Sequence, residues 1–359
     1  MNALEHELTY PFGDTLPEPG TTMEVAPGVR WVRMTLPFAL DHINLWLLRD
    51  EIDGPKGKVQ GWSIVDCGIA NDATRACWEQ VFANELQGLP VLRVIVTHLH
   101  PDHIGLSAWL TERWTTPEHE CRLWISGTDY NGARMSSNPS AKASVITPVF
   151  AKSHGITDPE ALQMIQTRGG HYATMVPKVP DRFRRMVDGD VIRIGGHEWH
   201  CHVGYGHAPE HISLHCPSLS VLISGDMVLP RISTNVGVHE NEPEGDPLKR
   251  YLDSVERMRA LPADSLVLPS HGRPFKGLHT RIDQLQQHHD ERLAEVMDAC
   301  AKAPQSAADL LGVLFKRKLD LHQTTFAMGE SIAHLHALWH AGKLVRRLGA
   351  DGVLRFSPA

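Results

Sequence analysis

Residues 91–105 read V-L-R-V-I-V-T-H-L-H-P-D-H-I-G, an apolar run that stops in three histidines and an aspartate within six positions. The run follows a Gly88-Leu89-Pro90 turn signal and is rich in β-branched residues, so it predicts a strand buried on both faces. His98 and His100 lie two apart and share one side of an extended segment. Asp102 and His103, next to Pro101, fall in the first turn of a following helix. Such a strand-to-helix corner aims ligands at two neighbouring points, which imposes a layered α/β fold with a metal centre at the strand ends.

The rest of the chain reads the same way. VRWVRM, INLWLLRD and GWSIVDCG predict three early strands with a turn over Asp53–Gly57, and a helix is expected over Asn71–Glu85. DHIGLSAWLTERW predicts a helix and RLWIS a strand. Residues 127–186 read as a mostly helical, polar cap with a turn at Asn138-Pro139 and a second helix over Pro159–Met175. DVIRIGGHEWHCHVG, ISLHCPSLSVLISGD and SLVLPSHG predict three further strands, with a helix over Pro247–Leu261 before the last. The expected organisation is a catalytic domain over 1–280, a helical linker over 281–304 within a long helix Leu278–Lys302, and a separately folded unit over 305–359. That tail predicts helices Ala307–Lys318 and Thr325–Ala341 and a hairpin turning at Asp351-Gly352, the shape of a winged helix.

Composition narrows the function. A net charge of -7 over 359 residues argues against a chain built mainly to hold nucleic acid. The tail alone carries seven Lys and Arg against four acids, and the cap cations Lys142, Lys152, Arg168, Lys178, Arg182, Arg184 and Arg185 are strung over more than forty residues, clustering only at the end. Six cysteines without C-x-x-C spacing suggest neither a zinc ribbon nor a disulfide framework. The segment MNALEHELTYPFGD lacks a basic-then-apolar leader pattern, and no apolar stretch reaches the roughly 18–20 residues that span a bilayer, so a cytoplasmic location is expected.

The H-x-H-x-D-H stretch resembles the metallo-β-lactamase superfamily, and four more motifs follow in that family's order: SIVDCG with Asp66, G-H-A-P-E-H with His207, ISGD with Asp226 and LPSHG with His271. The resemblance covers about residues 29–280. It implies an αββα sandwich, with one metal on His98, His100 and His207, a second on Asp102, His103 and His271, and Asp226 between them. Glu210 departs from the family, which often has glycine there. The N/O ligand set suits two divalent ions, zinc first, with iron or manganese also compatible. Histidine at position 100, where the redox di-iron branch has glutamate, favours a hydrolase.

Two metals sharing a bridging water lower its pKa and polarise a substrate oxygen. The expectation is a dinuclear hydrolase of a small acyl ester, a thioester above all, in which a metal-bridging hydroxide attacks and Asp102 is both ligand and catalytic. The relatives with a trailing winged helix include acyl-thioester hydrolases and an endoribonuclease. A metal-dependent endoribonuclease with the tail on RNA is therefore the alternative, although nucleic acid is the less favoured partner. A second copy of the chain is another candidate partner. Leu229 stands where acyl-homoserine lactonases have tyrosine, against a lactonase, and the tail differs from that of glyoxalase II.

The remaining histidines read more plainly. His200, His202 and His215 lie in strand-like stretches, the H-x-H at 200–202 fits a solvent-facing alternation, and His211 fits a hydrogen-bonding neighbour of the site. His288, His289, His334, His336 and His340 fit helix faces. For Phe38, His42 and Asn44, mouth-lining and structural readings stand level.

Overall fold

The structure, a computed structural model, describes residues 2–54, 57–138, 147–167, 171–319 and 321–359. Its first sheet runs in sequence order through β1 (Met23–Ala26), β2 (Val29–Thr35), β3 (His42–Gly54), β4 (Gly57–Val65), β5 (Val91–Ile95), β6 (Arg122–Ile125) and β7 (Phe183–Arg185). Neighbours are antiparallel up to β4 and parallel from β4 to β7. The second sheet has the order β12-β11-β10-β9-β8, from β8 (Val191–Ile194), β9 (His197–Gly204), β10 (His211–Cys216), β11 (Val221–Gly225) and β12 (Leu266–Pro269). DVIRIGGHEWHCHVG and ISLHCPSLSVLISGD, each expected as one strand, fold as hairpins. Gly195 and Gly196 take φ of +58° and +84° between β8 and β9, and Ser220 takes +52° before β11, left-handed conformations that reverse the chain.

The two sheets pack face to face through Trp31, Trp46 and Ile95 on one side and Trp199, Leu214 and Ile223 on the other. The outer face of the first sheet is covered by α1 (Asp72–Asn84), α2 (Pro101–Ile104), α3 (Ser107–Trp114) and α4 (Gly127–Ser136). Asn71 caps α1 by accepting from the Thr74 amide, satisfying one of the free N–H groups of the first turn. The helix expected from DHIGLSAWLTERW divides into α2 and α3, separated by Gly105 and Leu106. A side chain at 105 would meet the Pro101 carbonyl at 2.5 Å and the Gly68 carbonyl at 2.7 Å, so only glycine allows this close approach. The cap continues through α5 (Pro148–Ser153), α6 (Pro159–Thr167) and α7 (His171–Met175). Pro55, Lys56, Pro139, Lys142 and Arg168, which the sequence reading placed in turns or among the cap cations, lie outside the described residues.

The outer face of the second sheet is covered by α8 (Pro247–Arg257), α9 (Leu278–Lys302), α10 (Leu311–Leu314) and α11 (Leu321–His340), completing an αββα sandwich, with the hairpin β13 (Leu344–Leu348) and β14 (Leu354–Pro358) at the end. The helix expected over Ala307–Lys318 is reduced to α10. Gly312 and the consecutive cations 316–318 give that segment little to sustain a longer one. The tail packs on the preceding domain. Leu310, Met328, Ile332, Leu335, Leu338 and Phe356 share one continuous core with Met227, Val238, Tyr251, Val255 and Phe275 of the preceding domain. No described helix is long and apolar enough to cross a membrane, and all six cysteines are free thiols.

Candidate metal centre

The chain delivers the candidate ligands from strand ends along one rim of the sandwich. His98 and His100 follow β5, Asp102 and His103 lie in α2, His207 sits in the turn after β9, Asp226 follows β11 and His271 follows β12. Gly206, at φ +96°, makes the His207 turn possible: a Cβ there would lie 2.3 Å from the Pro247 carbonyl.

The seven residues form two groups, His98, His100, His207 and Asp226 in one, and Asp102, His103 and His271 in the other, with the ligand atoms of each within 4.8 Å of one another. In the first, His98 Nε2 stands 2.8 Å from His100 Nδ1 and 3.2 Å from His207 Nε2, which is 3.3 Å from Asp226 Oδ2. In the second, His271 Nε2 lies 3.5 Å from Asp102 Oδ2, and His103 Nε2 lies 3.8 Å from the same oxygen. The other Asp226 oxygen, Oδ1, faces this group at 3.6 Å from His103 Nε2 and 3.5 Å from His271 Nε2. One carboxylate therefore addresses both groups.

These residues fit metal ions. Ligand atoms about 2.0–2.1 Å from a tetrahedral zinc are about 3.3 Å apart, close to the spacing in the first group. His103 Nε2 and Asp226 Oδ1 are buried and make no hydrogen bond, a costly state for polar atoms unless a cation completes them. The opposite ring nitrogens are already engaged. His103 Nδ1 pairs with Asp66 Oδ2 at 2.8 Å, His207 Nδ1 with the Asn235 carbonyl at 2.7 Å and His271 Nδ1 with the His42 carbonyl at 2.8 Å. Each contact turns Nε2 towards the site, the usual outer support of a metal-bound imidazole.

The electrostatics show the same convergence. Burial, then the neighbouring histidines, hold His98 and His100 well below the ordinary imidazole range. Burial also pulls His103 down, but Asp66, Asp102 and Asp226 outweigh it and raise it. Burial pushes Asp226 up, and His271 and His103 outweigh that and lower it.

Asp66 has an unusual backbone, with φ +64°, which lets its carboxylate accept from the Thr97 amide at 2.8 Å while holding His103. His211 is a fully buried neighbour whose Nε2 accepts from the Asp226 amide at 3.0 Å. His42 and Asn44 are structural: Asn44 is fully buried and donates to the Pro269 and Gly272 carbonyls, fixing the His271 turn. Phe38 is exposed. His215 is buried, while His200 and His202, read as solvent-facing, are half-buried.

Two residues escaped the sequence reading. Asp129, fully buried at the start of α4, accepts from the Leu99 amide at 2.9 Å and the Glu210 amide at 2.7 Å, tying the first histidine motif to the G-H-A-P-E-H turn. Burial pushes its carboxyl up to about 6. Glu210, the departure from the family pattern, accepts from the Thr128 amide at the same helix end. The second is His239, half-buried, which lies close enough to His100 and His207 to shift or feel their charge. Neither position belongs to a local motif; only Ser126, three residues before Asp129 as a helix cap, gave a sequence signal.

Residues 40–271 match the family described as the metallo-beta-lactamase superfamily, well over half of the chain. The chain belongs to the metallo-β-lactamase superfamily. Residues 293–359 match the metallo-beta-lactamase-like C-terminal domain. A solved superfamily structure, a beta-lactamase domain protein from Burkholderia ambifaria, is 54% identical, covers 100% of both chains and superposes with a TM-score of 0.92. A metallo-beta-lactamase family protein from Thermus thermophilus is 26% identical with a TM-score of 0.74, covering 94% of this chain and 100% of its own. A probable metallo-hydrolase of Bacillus subtilis, YqjP, is 22% identical over 86% of this chain and 91% of its own length. A linear primary-alkylsulfatase of a Pseudomonas species is 24% identical over 69% of this chain, which spans only 45% of that protein. The chain is thus a metal-dependent hydrolase of this superfamily.

Proposed function

We propose that the chain hydrolyses a small acyl ester, a thioester before an oxygen ester, at two divalent ions, zinc first, held by His98, His100 and His207 and by Asp102, His103 and His271, with Asp226 shared. The observation that carries this reading is Asp226, whose two oxygens face the two nitrogen groups separately. Two such ions supply a water ionised near neutral pH and a Lewis-acid contact for the carbonyl oxygen. The chain's own residues do the rest. Asp66, the Asn235 carbonyl and the His42 carbonyl lock the rings. Asp102, 17% exposed against 9% for Asp226, faces the open side and orients the attacking water.

A neutral carbonyl is the first choice over a sulfate or phosphodiester; among the described residues, the ion-pair partners of Asp102 and Asp226 are all histidines. The match to an alkylsulfatase supports a second reading, cleavage of a sulfate ester. The tail lends no support to an RNA substrate, since Ile332, Leu335 and Leu338 of α11 are spent on the chain's own core. We read it as a winged-helix-like packing module.

The test is a panel of acyl thioesters, acyl esters, alkyl sulfates and single-stranded RNA, assayed with the metal-replete protein at low and moderate salt. Thioester hydrolysis little affected by salt is expected. Preferred cleavage of alkyl sulfate, or RNA cleavage that falls steeply with salt, would overturn the ranking.

A further inference from the structure

The segment between Asp226 and α8 has no regular structure, yet it supports one side of the metal centre. Its Thr234 hydroxyl donates to the Asp226 carbonyl, and its Asn235 carbonyl holds His207 Nδ1 at 2.7 Å. Val236 and Val238 are buried at 1% exposure, in the same core as Met328, Ile332 and Ala333 of α11. The Val238 amide donates to the Gly329 carbonyl at 3.1 Å. The backbones meet closely there: a Cβ on Gly329 would lie 3.3 Å from Gly237 Cα and 3.5 Å from the Val238 carbonyl oxygen. One residue on, the half-buried Glu330 carboxyl faces the Asn235 side chain, which opposes the upward push of burial on it. An irregular loop with no ladder of its own takes its conformation from what it packs against: Arg281 of α9 holds the Leu229 and Ile232 carbonyls, and over residues 236–238 the support is α11.

We propose that α11, through Gly329 and Glu330, is a positioning element for the metal centre: it sets the 234–239 loop, and with it the Asn235 carbonyl that orients His207 and the Thr234 hydroxyl that holds Asp226. The tail is then part of the catalytic unit, although among the described residues none of its side chains hydrogen-bonds or ion-pairs with a candidate ligand. This inference rests on the ligand assignment made above. Deleting the outer support of a metal-bound histidine lowers metal affinity about 10–100-fold in comparable sites.

The experiment is a zinc titration against a chromophoric chelator, with bound metal counted after dialysis and the fold followed by circular dichroism. The chains compared are the full-length wild type, Glu330→Ala, Glu330→Gln and Gly329→Val. Glu330→Ala is expected to hold one of two zinc ions about 10-fold or more weakly with an unchanged spectrum. Glu330→Gln, which keeps an oxygen to face Asn235, is expected to keep most of the affinity. Gly329→Val, whose side chain must displace Gly237, is expected to show the larger loss. Wild-type affinity for both ions in Glu330→Ala and in folded Gly329→Val, with only a lower melting temperature, would overturn the proposal. Failure of the ligand assignment is distinguishable, because the wild type itself would then not hold two ions.

Discussion

Replacing Asp129 by Asn separates positioning from stability. The carboxylate accepts from the Leu99 amide on Oδ1, and from the Glu210 amide and the Ser126 hydroxyl on Oδ2. Asn keeps the shape but turns one acceptor into a donor. With its oxygen left towards Glu210 and Ser126, its amide nitrogen faces the Leu99 N–H. The lost hydrogen bond to a charged group is worth about 1.5–3 kcal/mol, and the buried N–H left without a partner costs about 1–3 kcal/mol more. Against this stands the charge. Burial raises the Asp129 carboxyl to about 6, so ionising it at neutral pH costs the folded protein roughly 3 kcal/mol relative to an ordinary carboxylate near 4. Asn removes that cost. The relieved cost offsets at least half of the loss, leaving a net loss of about 0–3 kcal/mol in stability. The tie between the His98-Leu99-His100 stretch and the turn that carries His207 is nevertheless broken, and metal affinity should fall about 10–100-fold. Thermal melts of the metal-free protein and competitive zinc titration measure the two separately. Wild-type zinc affinity and activity in a folded Asp129→Asn protein would refute the positioning argument. A stability loss of many kcal/mol would refute the offset.

Three further outcomes are expected. His207→Ala should lose one metal per chain and Asp102→Ala should weaken the other, both with collapsed hydrolysis and a retained circular dichroism spectrum; full activity with one metal or none, by elemental analysis, would sink the assignment. His334 and His336 are almost completely buried, and burial lowers both to about 4. Their neutral forms therefore stabilise the fold above pH 6.5, and this is lost as pH falls towards 4, by about 2 kcal/mol each at pH 5; hydrogen exchange in α11, corrected for intrinsic rates, should show weaker protection at pH 5 than at pH 7.5. Truncation after Ala303 should leave Tyr251, Val255 and Met227 uncovered and yield a dye-binding, aggregation-prone chain, and a soluble truncated protein binding two zinc ions would contradict both this and the role given to α11.

The sequence by itself indicated the layers and part of the candidate ligand set. Predominantly apolar runs such as INLWLL and VLRVIV, each broken by one polar residue, fit strands buried on both faces, and histidines two or three apart at the end of such a run are local in both chain and space. His98, His100, Asp102 and His103 were legible as candidates for that reason, whereas His207, Asp226 and His271, each alone at the end of its own segment, stood out only through the resemblance to the family. Tertiary structure alone decided what holds them. Asp129 meets Leu99 and Glu210 across 30 and 81 residues, and an isolated aspartate carries no spacing that announces a distant partner. The packing of the tail on the preceding domain was not legible either, because the apolar face of α11 reads the same whether it packs on its own small core or on another domain. Only folding brings Gly329 against Gly237, and a contact between two glycine backbones has no side chain through which the sequence could signal it.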